Sequence, residues 1–103
     1  MNDTHVKALS NAQRRFLRGL CHNLKPVIAV GNNGLTDAVL AELDNALSHH
    51  ELVKVKLRAD RPTRSAWAEA AASASGAAVV QQIGQTLSLY RPHPKKPQIT
   101  LPR

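Results

Sequence analysis

The chain has 103 residues and a formal net charge of +7 at pH 7, and it contains one Phe, one Trp, one Tyr and one Cys. This length fits one domain with one hydrophobic core, and the lone Cys21 excludes an internal disulfide and a multi-cysteine zinc site. The excess of positive charge favours a polyanionic partner, while the scarcity of aromatic rings argues against recognition surfaces that depend on several exposed rings.

The first predicted element is an amphipathic helix that begins after Ser10. Ser10 and Gln13 have the spacing of a capping box, in which the two side chains satisfy free backbone N–H groups at a helix start. Apolar residues then recur at helical spacing, at Phe16, Leu17, Leu20 and Leu24. Another side of the same helix is basic and carries Arg14, Arg15 and Arg18.

A buried strand, a glycine-rich turn and a second helix follow. Lys25-Pro26 ends the helical pattern, because proline disfavours the α conformation in the residue before it. Val27–Val30 is uniformly apolar and predicts the strand, and the turn Gly31–Gly34 reads Gly-Asn-Asn-Gly. Thr36 is then placed to cap a helix that ends near His50.

The next strand is predicted from strict alternation over Leu52–Arg58. Its apolar positions are Val53, Val55 and Leu57, and its basic positions are Lys54, Lys56 and Arg58. Because alternate residues of a strand point to opposite sides, this pattern predicts a strand with a basic outer face.

A third helix and a terminal hairpin complete the predicted elements. The stretch 60–63 (Asp-Arg-Pro-Thr) interrupts the strand, and the alanine-rich run around Trp67 predicts a helix that ends at Gly76. Two strands, Val79–Ile83 and Thr86–Tyr90, then flank Gly84-Gln85, where glycine at the first central position suits a type II′ turn.

The predicted order is therefore α-β-α-β-α-β-β. Strands separated by helices need crossover connections and the last two strands must be antiparallel, so the sequence predicts a single two-layer α/β domain with a mixed four-stranded sheet. The domain is expected over residues 9–92, after a flexible N-terminus of residues 1–8. The Pro- and Lys-bearing tail, residues 93–103, is expected to be extended and mobile, as an RNA-contacting arm or an inert extension, although its end, Ile99–Pro102, is also suited to pack on the domain.

The Gly31–Gly34 loop has two interpretations. A glycine at each end permits positive φ angles and close approach of another backbone, and the N-terminus of the following helix favours a phosphate. KH domains use a Gly-x-x-Gly loop of this kind as a clamp on a nucleic-acid backbone. Glycines also serve tight turns that bind nothing, so the loop alone leaves both interpretations open.

Four segments together resemble the CRM domain family, and in particular its bacterial single-domain, YhbY-like members. These are Leu24–Val27 (LKPV), Gly31–Thr36 (GNNGLT), His50–Lys56 (HELVKVK) and Ile83–Arg91 (IGQTLSLYR). The resemblance spans about Leu9 to Pro92. It implies the α/β fold, RNA binding, and association of bacterial members with precursors of the large ribosomal subunit.

The resemblance and the charge pattern predict an RNA-binding site around the loop. Many relatives carry a basic residue inside the loop, whereas Asn32 and Asn33 are neutral, so backbone N–H groups and flanking basic residues are expected to make the phosphate contacts. The basic faces of the first helix and of the strand are also compatible with ordinary solvated surfaces. The predicted RNA-binding residues are Gly31, Asn32, Asn33, Gly34, Leu35, Thr36, Lys25, Arg14, Arg15, Arg18, Lys54 and Lys56.

No catalytic or metal site is predicted, and no cofactor or small-molecule substrate is expected. The successive residues His49–Glu51 would not converge on one ion, and Cys21-His22 lacks a third group to orient a nucleophile. Trp67 is interpreted as a core residue because it lies among alanines at helical spacing, and Tyr90 as a packing residue at a strand end.

The sequence thus favours a non-catalytic RNA-binding protein that contacts structured ribosomal RNA, associates with pre-50S (large subunit) particles and assists ribosome assembly. Another structured RNA, such as an intron or a regulatory RNA, and an acidic protein partner are the alternatives. Because residues 1–7 are polar and no long apolar run follows, neither a signal peptide nor a membrane span is predicted. We expect a cytoplasmic protein with no membrane partner.

Overall fold

Three helices and four strands alternate along residues 9–103, which are the part of the chain that the computed structural model describes. The predicted flexible N-terminus, residues 1–8, lies outside the described residues. The predicted element order is confirmed. The elements are α1 (Asn11–Cys21), β1 (Ile28–Val30), α2 (Asp37–His50), β2 (Leu52–Leu57), α3 (Arg61–Ser75), β3 (Ala78–Ile83) and β4 (Thr86–Tyr90).

The strands form one mixed sheet in the order β1-β2-β4-β3. The parallel pair β1 and β2 places Val30 opposite Leu57, and β4 runs antiparallel to both of its neighbours. The predicted α/β class and the mixed four-stranded sheet are confirmed. Strands β1 and β3 are the two edges, so the Gly31–Gly34 loop, which follows β1, lies at one edge of the sheet.

One face of the sheet is covered by α2 and α3. The inward residues of β2, Val53, Val55 and Leu57, pack there with Leu43 and Leu47 of α2. Small side chains of α3 bring that helix close to the same core, whose buried α3 members are Ala68 and Ala71. The predicted alternation of β2 is therefore confirmed, and this cluster is the main hydrophobic core.

The opposite face is covered only in part, by α1 and by the C-terminal tail. Leu17 and Cys21 are buried there against Leu52, Val80 and Tyr90 of the sheet. Helix α1 contacts β2 and β3, so the open part of this face lies over β1 and the end of β2. Which face α1 would cover was not predicted from its sequence.

Two of the helix starts and the hairpin turn follow the predicted local chemistry. Both hydrogen bonds of the Ser10 capping box are formed at 3.1 Å, and the Thr36 hydroxyl accepts from the Val39 N–H at 3.1 Å. Asp60 caps α3 by accepting from the Thr63 N–H, a cap that was not predicted, and hydrogen bonding to the side chain and the backbone of Thr63 lowers the pKa of the Asp60 carboxyl. Gly84 has φ +55° while Gln85 has no positive φ, as a type II′ turn requires.

The C-terminal tail is held against the domain by Glu51, the C-cap residue that follows α2. Glu51 is 3% exposed, and its carboxylate accepts three backbone N–H groups of the tail: His93 at 2.6 Å, Gln98 at 3.0 Å and Ile99 at 2.9 Å. Ile99 and Leu101 pack on the α1 cluster. Of the interpretations given for the tail, the packing of its end on the domain is the one observed.

No helix of the described residues is long and apolar enough to cross a membrane.

Candidate nucleic-acid interface

The Gly31–Gly34 loop is a tight turn that its own backbone closes. The Gly34 N–H donates to the Gly31 carbonyl at 2.9 Å, and the Thr36 N–H donates to the Gly34 carbonyl at 3.0 Å. Asn32 and Asn33 form the exposed tip, and neither has a positive φ. The loop therefore presents two neutral side chains and its backbone to solvent in a defined shape.

The two glycines of the loop have different surroundings. Gly34 has φ +70°, a conformation that L side chains rarely adopt, and a Cβ there would lie 3.6 Å from the Trp67 ring. Gly31 has no positive φ, and a Cβ there would meet nothing within 4 Å. Gly34 therefore shapes the turn against α3, while Gly31 leaves open space where a ligand backbone can approach.

Some of the free backbone N–H groups at the start of α2 are satisfied by a residue of the chain itself. Thr36 caps the Val39 N–H, and Leu35 is half-buried against the main core, so both residues have structural roles. Asp37, in the first turn, is exposed and acidic. It complements the helix dipole, but it also opposes a phosphate at the same end of the helix.

A basic concavity lies beside the loop on the open part of the sheet. We call it the basic sheet face and define it by Lys25, Lys56 and Arg58, which line a depression of about 520 Å³ together with residues 26–29. The Arg58 N–H donates to the carbonyl of Val30, the residue before the loop, at 2.9 Å. Three cations therefore share one concave surface, whose lining ends at Ala29, two residues before the glycine loop. Lys54, half-buried on the same side of β2, lines the neighbouring clefts.

Arg14 of α1 does not lie beside the loop. The Arg14 guanidinium donates to the Val79 carbonyl on β3 at 2.7 Å, which places it at the far edge of the sheet. The strand order and the residue pairings separate Val79 from Val30 by three strand spacings and four residues, or roughly 20 Å. Arg18, one helical turn after Arg14, extends from the same side of α1, and Arg15 is exposed.

Several residues of this region were not predicted in their observed roles. Trp67 is a partly buried core residue, as expected, but its ring also supports Gly34. Phe16 and Leu20, predicted on the apolar face of α1, are 41% and 39% exposed. The alternation of β2 already indicated Arg58, whereas no local signal identifies the position of Trp67 beneath the loop.

Within residues 9–103, no three His, Cys, Asp or Glu side chains are grouped so as to hold a metal ion.

Comparison with known proteins places these residues in a defined group. The model of the CRS1 / YhbY (CRM) domain matches residues 9–91. An RNA-binding protein of Haemophilus influenzae is 52% identical over 99 residues, which cover 95% of this chain and 99% of that protein. A protein of Bacillus subtilis named a probable RNA-binding protein is 37% identical over 95 residues, covering 91% of this chain and 99% of its own length.

A solved structure has the same fold. The solution structure of a hypothetical protein from Staphylococcus aureus superposes with a TM-score of 0.80 at 30% identity, covering 92% of this chain and 100% of that one. The match includes the α/β architecture that carries the glycine loop.

Proposed function

Because the chain belongs to the CRS1 / YhbY (CRM) domain family, we propose that it is a non-catalytic RNA-binding protein that grips the backbone of structured RNA. The contact surface consists of the Gly31–Gly34 loop and the basic sheet face. Phosphates lie on Lys25, Lys56 and Arg58, and a sugar-phosphate backbone passes close to Gly31.

The observation that carries this proposal is that the open space at Gly31 lies next to the basic sheet face. A ligand that is long, anionic and exposes its backbone fits such a surface, because it can use several cations and a side-chain-free approach at the same time. The neutral Asn32 and Asn33 contribute hydrogen bonds rather than charge. The printed names of the Haemophilus and Bacillus relatives support RNA as that ligand.

The RNA is ribosomal in this proposal, and the protein acts on the pre-50S particle during assembly. Support comes from the four segments that resemble the bacterial single-domain members, a resemblance that implies association with large-subunit precursors. Recognition depends on RNA shape and backbone more than on sequence, since the described surface offers cations and backbone rather than a row of base-reading side chains.

A charge-reversal pair tests the contact surface. We expect Lys56→Glu with Arg58→Glu to weaken binding of a large-subunit ribosomal RNA fragment by about tenfold or more at low salt, because two phosphate contacts become repulsive. The matched control is Arg15→Glu with Arg18→Glu, which changes the net charge equally on α1. Equal losses in the two pairs would mean that only net charge matters, and unchanged affinity in the control would remove α1 from the site.

The ribosomal assignment needs the native protein. Sedimentation of a cell extract through a sucrose gradient, followed by sequencing of the RNA that co-purifies with the protein, should place it with large-subunit precursors. A purified wild-type protein with no measurable affinity for ribosomal RNA at low salt would sink the proposal.

A further inference from the structure

A second concave site adjoins the basic sheet face and is not used by the contacts described above. It is a cleft of about 560 Å³ between α1, the residues leading into β1, the start of β2 and the tail. This volume is within the range of roughly 300–1,000 Å³ that is typical of ligand sites. Its apolar walls are Leu20, Leu24, Val27, Leu52 and Ile99.

Part of this apolar surface is open to solvent. Val27 is 55% exposed and Leu20 is 39% exposed, although both line the cleft. Single exposed apolar residues are normal on a protein surface, but here two of them converge on one concavity. Phe16 lies one helical turn before Leu20 and is 41% exposed, so the apolar surface extends beyond the rim. The occupant of the cleft must therefore bring apolar surface of its own.

The positive charge at the rim of the cleft favours an occupant that carries a negative charge. Lys25 and Lys54 line it, and no acidic side chain of the described residues does. The side-chain amide of Asn23, which can both donate and accept hydrogen bonds, also lines it. An occupant that combines a flat apolar surface, polar edges and a negative charge matches all three features.

The cleft is continuous with the basic sheet face. Lys25 and Val27 line both concavities. Val27 lies four residues before Gly31, so the cleft is about 13 Å from the glycine loop along the strand direction. A chain bound at the loop can therefore reach the cleft without a second partner.

We infer that the cleft receives an unpaired base of the bound RNA, while the phosphates beside that base lie on Lys25 and Lys54. This inference rests on the proposed function and deepens it, since it names the class of RNA. The apolar walls cover the faces of the base, and Asn23 meets its polar edge. The preferred ligand is then a duplex interrupted by a bulge or loop, and not a continuous duplex.

An acidic amphipathic protein segment also combines apolar surface with negative charge. The continuity with the basic sheet face favours RNA, because one RNA strand fills both concavities. The two occupants are separated by experiment.

The test uses the full-length protein and two RNA hairpins that differ by one bulged 2-aminopurine. We expect the wild-type protein to bind the bulged hairpin about fivefold or more tightly than the fully paired one, on the scale of one base contact. The fluorescence of 2-aminopurine should rise on binding, as the base leaves the RNA stack. The variant Leu20→Gln with Asn23→Ala, which changes two exposed residues that line the cleft but not the basic sheet face, should lose both the preference and the fluorescence change, and keep its affinity for the paired hairpin.

The control variant is Ile83→Gln, which replaces an apolar side chain that is 64% exposed at the far edge of the sheet. Circular dichroism melting of each variant reports whether its fold is retained. Equal wild-type affinity for both hairpins would overturn the inference and leave the proposed function intact, whereas binding of neither would defeat the proposed function itself. A cleft variant that keeps the bulge preference but loses binding of a synthetic Leu/Glu helix would assign the cleft to a protein partner and overturn the inference.

Discussion

At the scale of single residues, the two loop glycines should respond differently to the same substitution. Gly31→Ala adds a methyl group in open space, so the free energy of unfolding should change by less than about 0.5 kcal/mol, while RNA affinity falls because the methyl group blocks backbone approach. Gly34→Ala should cost roughly 1–2 kcal/mol, because φ is +70°. Urea unfolding and RNA titration of both variants check this, and equal destabilisation would show that Gly31 is also structural.

Asp37 is expected to oppose RNA binding. Asp37→Asn removes a carboxylate from the first turn of α2, beside the loop, so RNA affinity should rise by about twofold to fivefold at low salt. The same change should reduce stability by about 0.3–1 kcal/mol, since Asp37 complements the helix dipole. The matched control is Glu69→Gln, an equally neutralising change on the exposed side of α3. A comparable gain in the control would reduce the effect to net charge.

Tyr90 should limit stability at alkaline pH. Burial, together with the nearby Glu51 carboxylate, raises the pKa of the Tyr90 phenol. The fold favours the neutral phenol over the ionised one. The stabilising contribution of the neutral phenol is therefore complete below the unfolded pKa of about 10, and it is lost as pH rises through the folded pKa. Tyr90→Phe should therefore move the alkaline unfolding limb to higher pH. Absorbance of the chain's single tyrosine reports its ionisation, and identical limbs in the two proteins would contradict the prediction.

At the scale of elements, the attachment of the tail to the domain depends on the Glu51 carboxylate. Glu51→Gln replaces an acceptor of three backbone N–H groups by an amide that brings its own donor. We expect a loss of about 2–4 kcal/mol in unfolding free energy, since bonds to buried charged groups contribute roughly 1.5–3 kcal/mol each. Trypsin should also cleave faster between the exposed Lys95 and Lys96. Glu69→Gln, which touches no tail residue, is the control, and an unchanged cleavage rate would show that Glu51 does not hold the tail.

The elements show which parts of the fold local sequence determines. The capping residues Ser10 and Thr36 act within three residues of themselves, so these two helix starts followed from the sequence, whereas the equally local cap at Asp60 was missed. The contacts of Arg14 with β3 and of Glu51 with the tail span 65 and 42 to 48 residues. No periodicity encodes such pairs, and for this reason the position of α1 and the attachment of the tail to Glu51 could not be predicted.

The candidate site divides in the same way. The glycine loop and the alternating Lys54, Lys56 and Arg58 were evident from spacing. Their meeting with Lys25 depends on the parallel pairing of β1 with β2, which is a tertiary fact. Arg14 had the right charge for the site, but its side chain serves the opposite edge of the sheet.

At the scale of the whole molecule, the net charge of +7 should act through a limited surface. About five phosphate contacts on a duplex, at about −0.9 each, give a slope near −4.5 when the logarithm of affinity is plotted against that of salt concentration. Neutralising Lys56→Gln with Arg58→Gln should reduce this slope to about −2.7, since two contacts are lost. Neutralising Arg15→Gln with Arg18→Gln should leave it unchanged if the contacts lie on the basic sheet face. Affinities of the two variants measured across a salt series show whether the phosphate contacts lie on the basic sheet face or on α1.

The docked tail also determines the order in which the two hydrophobic clusters can form during synthesis. Ile99 and Leu101 close the cluster around Leu17 and Cys21, and the Pro102 carbonyl accepts from Gln13 at the start of α1. Pro102 lies 89 residues after Gln13 in the chain, so the tail leaves the ribosome well after α1. The nascent chain can therefore assemble its main core before the tail arrives, and the α1 side is completed only once Ile99 and Leu101 have been synthesised.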